Sequence, residues 1–151
     1  MDKIERIINL KKEEDFIEEY VSLRNRYREL LLTKPVNVLG TKEWLKRSDI
    51  EVRGIVKGPI LLGVTILYLN QNGEIAFYAK VQNQGLGTKL LKIIEEVAKE
   101  KNLESVWSWV RDDNSTAKKT FQKNGYSIER ESLRFYENES RKGSIFRKEI
   151  I

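Results

Sequence analysis

Cysteine and histidine are both absent from this 151-residue chain. Without cysteine there is no disulfide framework, no thiolate metal site and no thiol to carry an acyl group. Without histidine the commonest general base and the commonest metal ligand are missing, so acid–base chemistry falls to carboxylates, phenols or water, and no metal site is expected. Long apolar runs are missing too. Stretches such as Ile60 to Leu67 are far shorter than the roughly 20 residues of a membrane span, and the start Met1-Asp2-Lys3-Ile4-Glu5 has no signal-peptide core. The expectation is a cytoplasmic protein without a membrane partner. Repeats, linkers and low-complexity tracts are likewise lacking, so residues 1–151 read as a single domain long enough to bury its own core.

Charge is present in both signs. The 28 Lys and Arg exceed the 23 Asp and Glu by a net +5, which favours anionic partners through long-range attraction. Basic and acidic residues interleave, as in Lys11-Lys12-Glu13-Glu14, and no pure basic tract points to nucleic acid.

Residues 3 to 10 read as a short strand. Phe16, Ile17, Tyr20, Leu23, Tyr27, Leu30 and Leu31 recur at helical spacing and predict a helix ending before Pro35. A second, shorter helix is expected over Thr41 to Arg47, with Thr41 as its N-cap. Ile50 to Val56 and Ile60 to Leu69 predict strands joined by a Lys57-Gly58-Pro59 turn, and Asn72-Gly73 predicts a hairpin that folds Glu74 to Lys80 back antiparallel. Leu86, Leu90, Leu91, Ile94, Val97 and Ala98 form one helical face ending at Lys101-Asn102. Val106 to Val110 reads as a buried strand, Asp112 to Ser115 as the start of another helix, and Gly125 as the residue that stops it. Tyr126 to Arg130, Leu133 to Tyr136 and Ser144 to Glu149 are expected closing strands, with a turn at Glu139 to Gly143.

Two segments carry chemistry. In Gln82-Asn83-Gln84-Gly85-Leu86-Gly87 a helix opens on glycines, so its first amides are unpaired, the positive end of its dipole lies behind them, and a diphosphate can approach the bare backbone, with Thr88 adding a hydroxyl. Two glycines also suffice for a tight strand-to-helix turn. Leu90 occupies the third glycine position of a dinucleotide fingerprint, and no P-loop is present. Downstream, Asn114, Ala117, Phe121, Lys123 and Gly125-Tyr126 lie on a helix that follows a strand; alone, this is a capped amphipathic helix with its apolar residues in the core.

Together the two segments, in this order and spacing, resemble the acetyl-CoA signature of the GNAT N-acetyltransferase family. The resemblance extends from end to end of the chain. It implies a mixed α/β (α+β) domain with a mostly antiparallel sheet of about seven strands, splayed in the middle, and four helices. It implies acetyl-CoA as co-substrate, held by Ala79, Lys80, Val81, Gln82, Gln84, Gly85, Leu86, Gly87 and Thr88, with Asn114, Lys118 and Phe121 from the second segment. Direct transfer to an amine requires a proton acceptor, for which Glu74 is the candidate, with Tyr78 ordering a water; a surface role beside the Asn72-Gly73 turn is the competing reading of Glu74. Phe121 stands where many relatives carry the tyrosine that protonates the departing thiolate, so that donor is missing here.

Leu23-Arg24-Asn25, Glu43-Trp44-Leu45-Lys46 and Phe77-Tyr78-Ala79 further resemble the branch that acetylates UDP-4-amino-sugars in pseudaminic-acid biosynthesis. That implies an acceptor pocket using Arg24, Asn25 and Trp44, unless these form a basic helix face with Trp44 in the core. Relatives that modify ribosomal-protein N-termini share the same texture, which leaves a protein amine as the alternative acceptor. The apolar strand Leu133 to Tyr136 is compatible with either a monomer or a homodimer.

Overall fold

The computed structural model describes residues 4–82 and 84–151. Seven strands form one sheet: β1 (Glu5–Asn9), β2 (Ile50–Lys57), β3 (Ile60–Tyr68), β4 (Glu74–Ala79), β5 (Ser105–Arg111), β6 (Ser127–Tyr136) and β7 (Glu139–Glu149), in the spatial order β1-β2-β3-β4-β5-β7-β6. Five helices accompany them: α1 (Ile17–Arg26), α2 (Arg28–Leu31), α3 (Val38–Trp44), α4 (Leu86–Glu100) and α5 (Ser115–Lys123).

Every strand pair is antiparallel except β4 and β5, which run parallel and share a single registered pair, Glu74 with Trp107. The amide of Trp107 donates to Gly73 O at 3.2 Å, at the start of both strands. Past that point β4 and β5 diverge, and the sheet opens between them.

The period of two along β4 divides the sheet into two faces. Tyr78 belongs to a core with Tyr20, Leu23, Leu45, Val64 and Ile66, against which Ala76 also packs, beneath α1 and α3. Ile75 belongs to a core on the other face with Leu91, Ile94, Val106, Phe121 and Phe146, against which Phe77 packs, under α4 and α5.

The Gly58 and Asn72-Gly73 turns form as the sequence predicts, each with positive φ at these residues. Gly125, at φ +91°, follows α5 as expected, and the Tyr126 amide reaches back to Phe121 O at 3.0 Å.

Three expectations are corrected. The helix expected from Phe16 onward breaks at Tyr27 into α1 and the single-turn α2 and ends at Leu32, whose φ is +54°; α1, α3, α4 and α5 are the four longer helices of the expectation. The N-cap of α3 is Asn37, whose side chain accepts from the Gly40 amide at 2.7 Å; Thr41 lies buried inside the helix and donates its hydroxyl to Asn37 O. The expected strands Tyr126 to Arg130 and Leu133 to Tyr136 are one strand, β6, with a register shift between Ile128 and Arg130, and the turn falls at Glu137-Asn138, both at positive φ. Gly143 is not a turn residue but a point of close approach. A Cβ there would lie 2.4 Å from the Trp109 indole, which crosses this position to donate to Ser132 O at 3.1 Å.

Candidate active site

The gap between β4 and β5 is the centre of a cleft of about 540 Å³. Its walls come from both faces of the sheet. Tyr27, Leu30, Leu31, Ala76 and Trp109 line it from the α1 and α2 side; Phe77, Leu86, Gly87, Thr120 and Phe121 line it from the α4 and α5 side. A cleft that passes through a sheet admits two reactants from opposite directions.

The Lys80 amide donates to Leu62 O on β3 at 2.8 Å. Alternation along the strand therefore turns the N–H and C=O groups of Phe77 and Ala79 the other way, into the gap. The Ala79 carbonyl already accepts the Tyr27 hydroxyl at 2.7 Å, and Lys80 O accepts Arg26 at 3.0 Å. These bonds clamp α1 to the end of β4.

At the opening of α4 the N-cap position is bare of a side chain. Gly85 has φ +75°, where an L side chain is strained, and a Cβ on it would meet nothing within 4 Å, so the approach to the first amides is open. Gly87 has a different reason to be glycine: a Cβ would lie 2.9 Å from Thr120 Cγ2 and 3.2 Å from Phe77 Cε2. It lets α4 and α5 close around the cleft. Asn114 caps α5 by accepting from the Ala117 amide at 3.2 Å, which fixes the phase of the helix and turns Thr116, Lys119, Thr120 and Lys123 toward the cleft.

On the α1 side, Glu74 Oε2 accepts from Arg134 Nη2 at 2.9 Å, and the Arg134 guanidinium lies over the rings of Trp109 and Trp107 at 5.2 and 5.9 Å. Glu74 and Tyr78 flank Ala76 on the same strand face, and Ala76 lines the cleft. Burial raises the pKa values of the Tyr78 and Tyr20 phenols, so both are neutral near pH 7. Among the described residues there is no cluster of three or more potential metal ligands, and no described helix is long and apolar enough to cross a membrane.

A sequence model of the acetyltransferase (GNAT) family matches residues 13–126. The chain belongs to the GNAT acetyltransferase family. Its fold is similar to that of an N-acetyltransferase from Staphylococcus aureus Mu50, with a TM-score of 0.84 at 13% identity over 98% of this chain and 99% of that one. It is also similar to a Salmonella typhimurium protein described as an acetyltransferase and solved with its cofactor acetyl-CoA, with a TM-score of 0.83 at 11% identity over 97% and 94% of the two chains. A ribosomal-protein-alanine N-acetyltransferase from Brucella melitensis aligns with a TM-score of 0.80 at 13% identity, covering 97% of this chain and 99% of that one. No curated protein sequence matches this chain.

As a GNAT enzyme the protein is an acetyl-CoA-dependent N-acetyltransferase, and the residues fit that co-substrate: an open glycine at a helix start, strand groups facing a gap, and a cleft beyond them. Of the residues that the sequence suggests for acetyl-CoA, Ala79, Val81, Gln82, Gly85, Leu86, Gly87, Thr88, Asn114 and Phe121 line the cleft. Lys80 and Gln84 are exposed outside it, and the Lys118 ammonium donates instead to Asp112 O at 3.0 Å. Asn83 lies outside the described residues. Phe121 is buried between the rings of Phe77, Tyr126 and Phe146, at 4.9 to 5.8 Å.

The suggested acceptor residues divide. Both ends of the Asn25 amide engage the Val36 main chain, at 2.9 and 3.0 Å, and brace the segment between α2 and α3. Arg24 and Trp44 do meet, with the guanidinium 5.1 Å above the indole. Lys119 escaped the sequence reading although the period of α5, phased from Asn114, places it on the cleft side with Lys123. Arg134 had no local signal at all, being 60 residues from Glu74.

Proposed function

We propose that the chain, a single N-acetyltransferase domain over residues 1–151 acting in the cytoplasm, moves an acetyl group directly from acetyl-CoA to the primary amine of a nucleotide-linked amino sugar. The observation that carries this reading is the cleft that opens to both faces of the sheet, which lets donor and amine meet between β4 and β5. The bound co-substrate supplies an activated thioester. Direct transfer accords with a chain that has no cysteine to hold the acetyl group.

The described residues of the glycine segment, with Gly85 to Thr88 at the start of α4, would hold the diphosphate, with Lys119 and Lys123 as neighbouring cations. Groups of Phe77 and Ala79 that face the gap would pair with the pantetheine arm, and Asn114 would add a side-chain contact. The ammonium must lose a proton before its nitrogen can attack; as the N–C bond then forms and the C–S bond breaks, the nitrogen sheds a second proton to solvent. Glu74 would take the first through a water, with Tyr78 helping to order that water. Arg134 engages Oε2 of Glu74, and Glu74 itself does not line the cleft, which is why a water would have to carry the proton to it. Phe121 has no proton to give, so coenzyme A would depart as thiolate and collect its proton from water.

The nucleotide-linked acceptor is supported by the net charge of +5 and by the Arg24–Trp44 pair on the α1 side. The test is a panel of UDP-4-amino-sugars, polyamines, aminoglycosides and short peptides with acetyl-CoA, read by thiol release and product mass. One acetyl gained by an amino-sugar nucleotide is the expected result. Acetylated peptide, with the nucleotide sugars inert, would overturn it in favour of a protein amine.

A further inference from the structure

The departing sulfur calls for an acid, and the cleft holds few. Among the described residues that line it there is no Asp, Glu, Cys or His, and Tyr27 is the one phenol. The ammoniums of Lys119 and Lys123 belong to the α5 wall, where the reading above commits them to the diphosphate. Serine and threonine hydroxyls line the cleft too, but an alcohol is a far weaker acid than a phenol. Phe121 has the ring without the hydroxyl, and that ring is packed among Phe77, Tyr126 and Phe146.

Three groups fix where the Tyr27 hydroxyl stands. It donates to Ala79 O at 2.7 Å, the Gln82 side-chain amide lies 3.5 Å from the phenol oxygen, and the Thr116 hydroxyl lies 3.5 Å from the other end of that amide. Ala79, Gln82 and Thr116 all line the cleft. The hydroxyl is therefore at the gap edge of β4, between the α1 wall and the α5 wall. Tyr27 itself is half-buried at the break between α1 and α2, with its ring 6.2 Å from Tyr78, so the phenol reaches the gap from the side opposite Phe121. The Ala79 carbonyl is also one of the groups that the pantetheine arm would use, and the last amide of that arm is an ethylene link from the sulfur. A carbonyl has two lone pairs and a hydroxyl hydrogen rotates to suit, so phenol and arm can meet at this atom with the O–H turned to the sulfur.

We infer that Tyr27 is the catalytic acid of the transfer. As the C–S bond breaks and its electron pair moves to sulfur, the Tyr27 O–H proton moves to the same sulfur and forms the thiol. The phenolate left behind is stabilised by the Gln82 N–H. It takes a proton from water, which has received the second proton shed by the nitrogen, so each turnover restores the phenol. This rests on the acetyl-transfer reading above and deepens it: Tyr27 is the group through which a proton from water reaches the departing sulfur.

The experiment sets Tyr27→Phe against Phe121→Tyr, with acetyl-CoA and the fastest amine of the panel above, each variant first checked by its melting temperature. Tyr27→Phe should slow single-turnover thiol release by about 30-fold, somewhat less than general acids commonly contribute because a thiolate leaves readily, with both KM values unchanged. Phe121→Tyr alone should change little, yet restore rate when combined with Tyr27→Phe, which repair of a lost structural hydrogen bond would not do. A second readout needs no turnover: calorimetry should show that the wild type prefers coenzyme A to desulfo-coenzyme A, and that Tyr27→Phe shrinks this preference by about threefold. Tyr27→Phe at the wild-type rate, with Phe121→Tyr faster than the wild type, overturns the acid and leaves water in its place. A slow Tyr27→Phe that keeps the full preference for the thiol also overturns it, and reduces Tyr27 to a clamp on Ala79. If Tyr27→Phe does not fold, the wild type decides: equal affinity for the two coenzymes overturns the acid. A wild type that binds coenzyme A but acetylates no amine removes the acetyl-transfer reading, and this acid with it.

Discussion

The two faces of the sheet treat polar groups differently. On the α4 and α5 face a buried carboxylate, Glu95, receives the Tyr126 hydroxyl at 2.7 Å and Lys148 at 3.0 Å. On the other face lie all the buried side-chain atoms that lack a partner among the described residues: Nε of Arg24 on α1, Oγ1 of Thr33 after α2, and the hydroxyl of Tyr78 on β4. A buried donor left unmatched costs about 1–3 kcal/mol. Folding therefore satisfies the buried polar side chains of one face more completely than those of the other, at a cost in stability.

This contrast can be broken or sharpened by substitution. The largest effect is expected at Glu74, where Glu74→Gln should lower kcat by about 100-fold, or about 2.7 kcal/mol, without changing acetyl-CoA affinity; a rate unchanged across pH would remove this carboxylate from the mechanism. Next comes a pair of chemically identical changes on opposite faces. Tyr126→Phe takes a hydrogen bond from a buried carboxylate and should destabilise by about 2 kcal/mol in urea unfolding. Tyr78→Phe deletes a hydroxyl that folding leaves unmatched, so it should be neutral or stabilising by up to about 1 kcal/mol. Equal losses at the two positions would abolish the distinction between the faces. The smallest effect belongs to Gly85→Ala, where positive φ costs about 1 kcal/mol of stability and the added methyl enters the open approach to α4, raising the KM for acetyl-CoA by about tenfold and leaving the acceptor KM alone.

Legibility in the sequence follows the same division. The coenzyme side is built from contiguous segments, a helix opening at Gly85 and another capped by Asn114, and local rules of glycine, cap and period reach both. Even there, Gly87 owes its identity to Thr120 and Phe77 as neighbours, which no local rule contains. Lys118 bonds to Asp112 O while Lys119 and Lys123 line the cleft, a difference of helix phase. On the acceptor side each functional contact joins distant pieces of chain. Arg134 reaches Glu74 from β6, and Tyr27 reaches Ala79 across 52 residues. Asn25, next to Arg24 in sequence, braces a loop through Val36 instead. Gly143 looked like a turn because glycine usually marks one, but its bareness serves the Trp109 indole from another strand.

The sequence by itself determined the order of most strands and helices, the glycine-opened start of α4 and the absence of thiol and imidazole chemistry, because these depend on neighbours within a few residues. Only the tertiary structure decided that β4 and β5 part after one registered pair, that the resulting cleft is lined from both faces, and that the described buried side-chain atoms without a partner gather on the α1 side. Those features arise where strands and helices far apart in the chain are packed together, and burial makes each unmatched donor costly enough to matter.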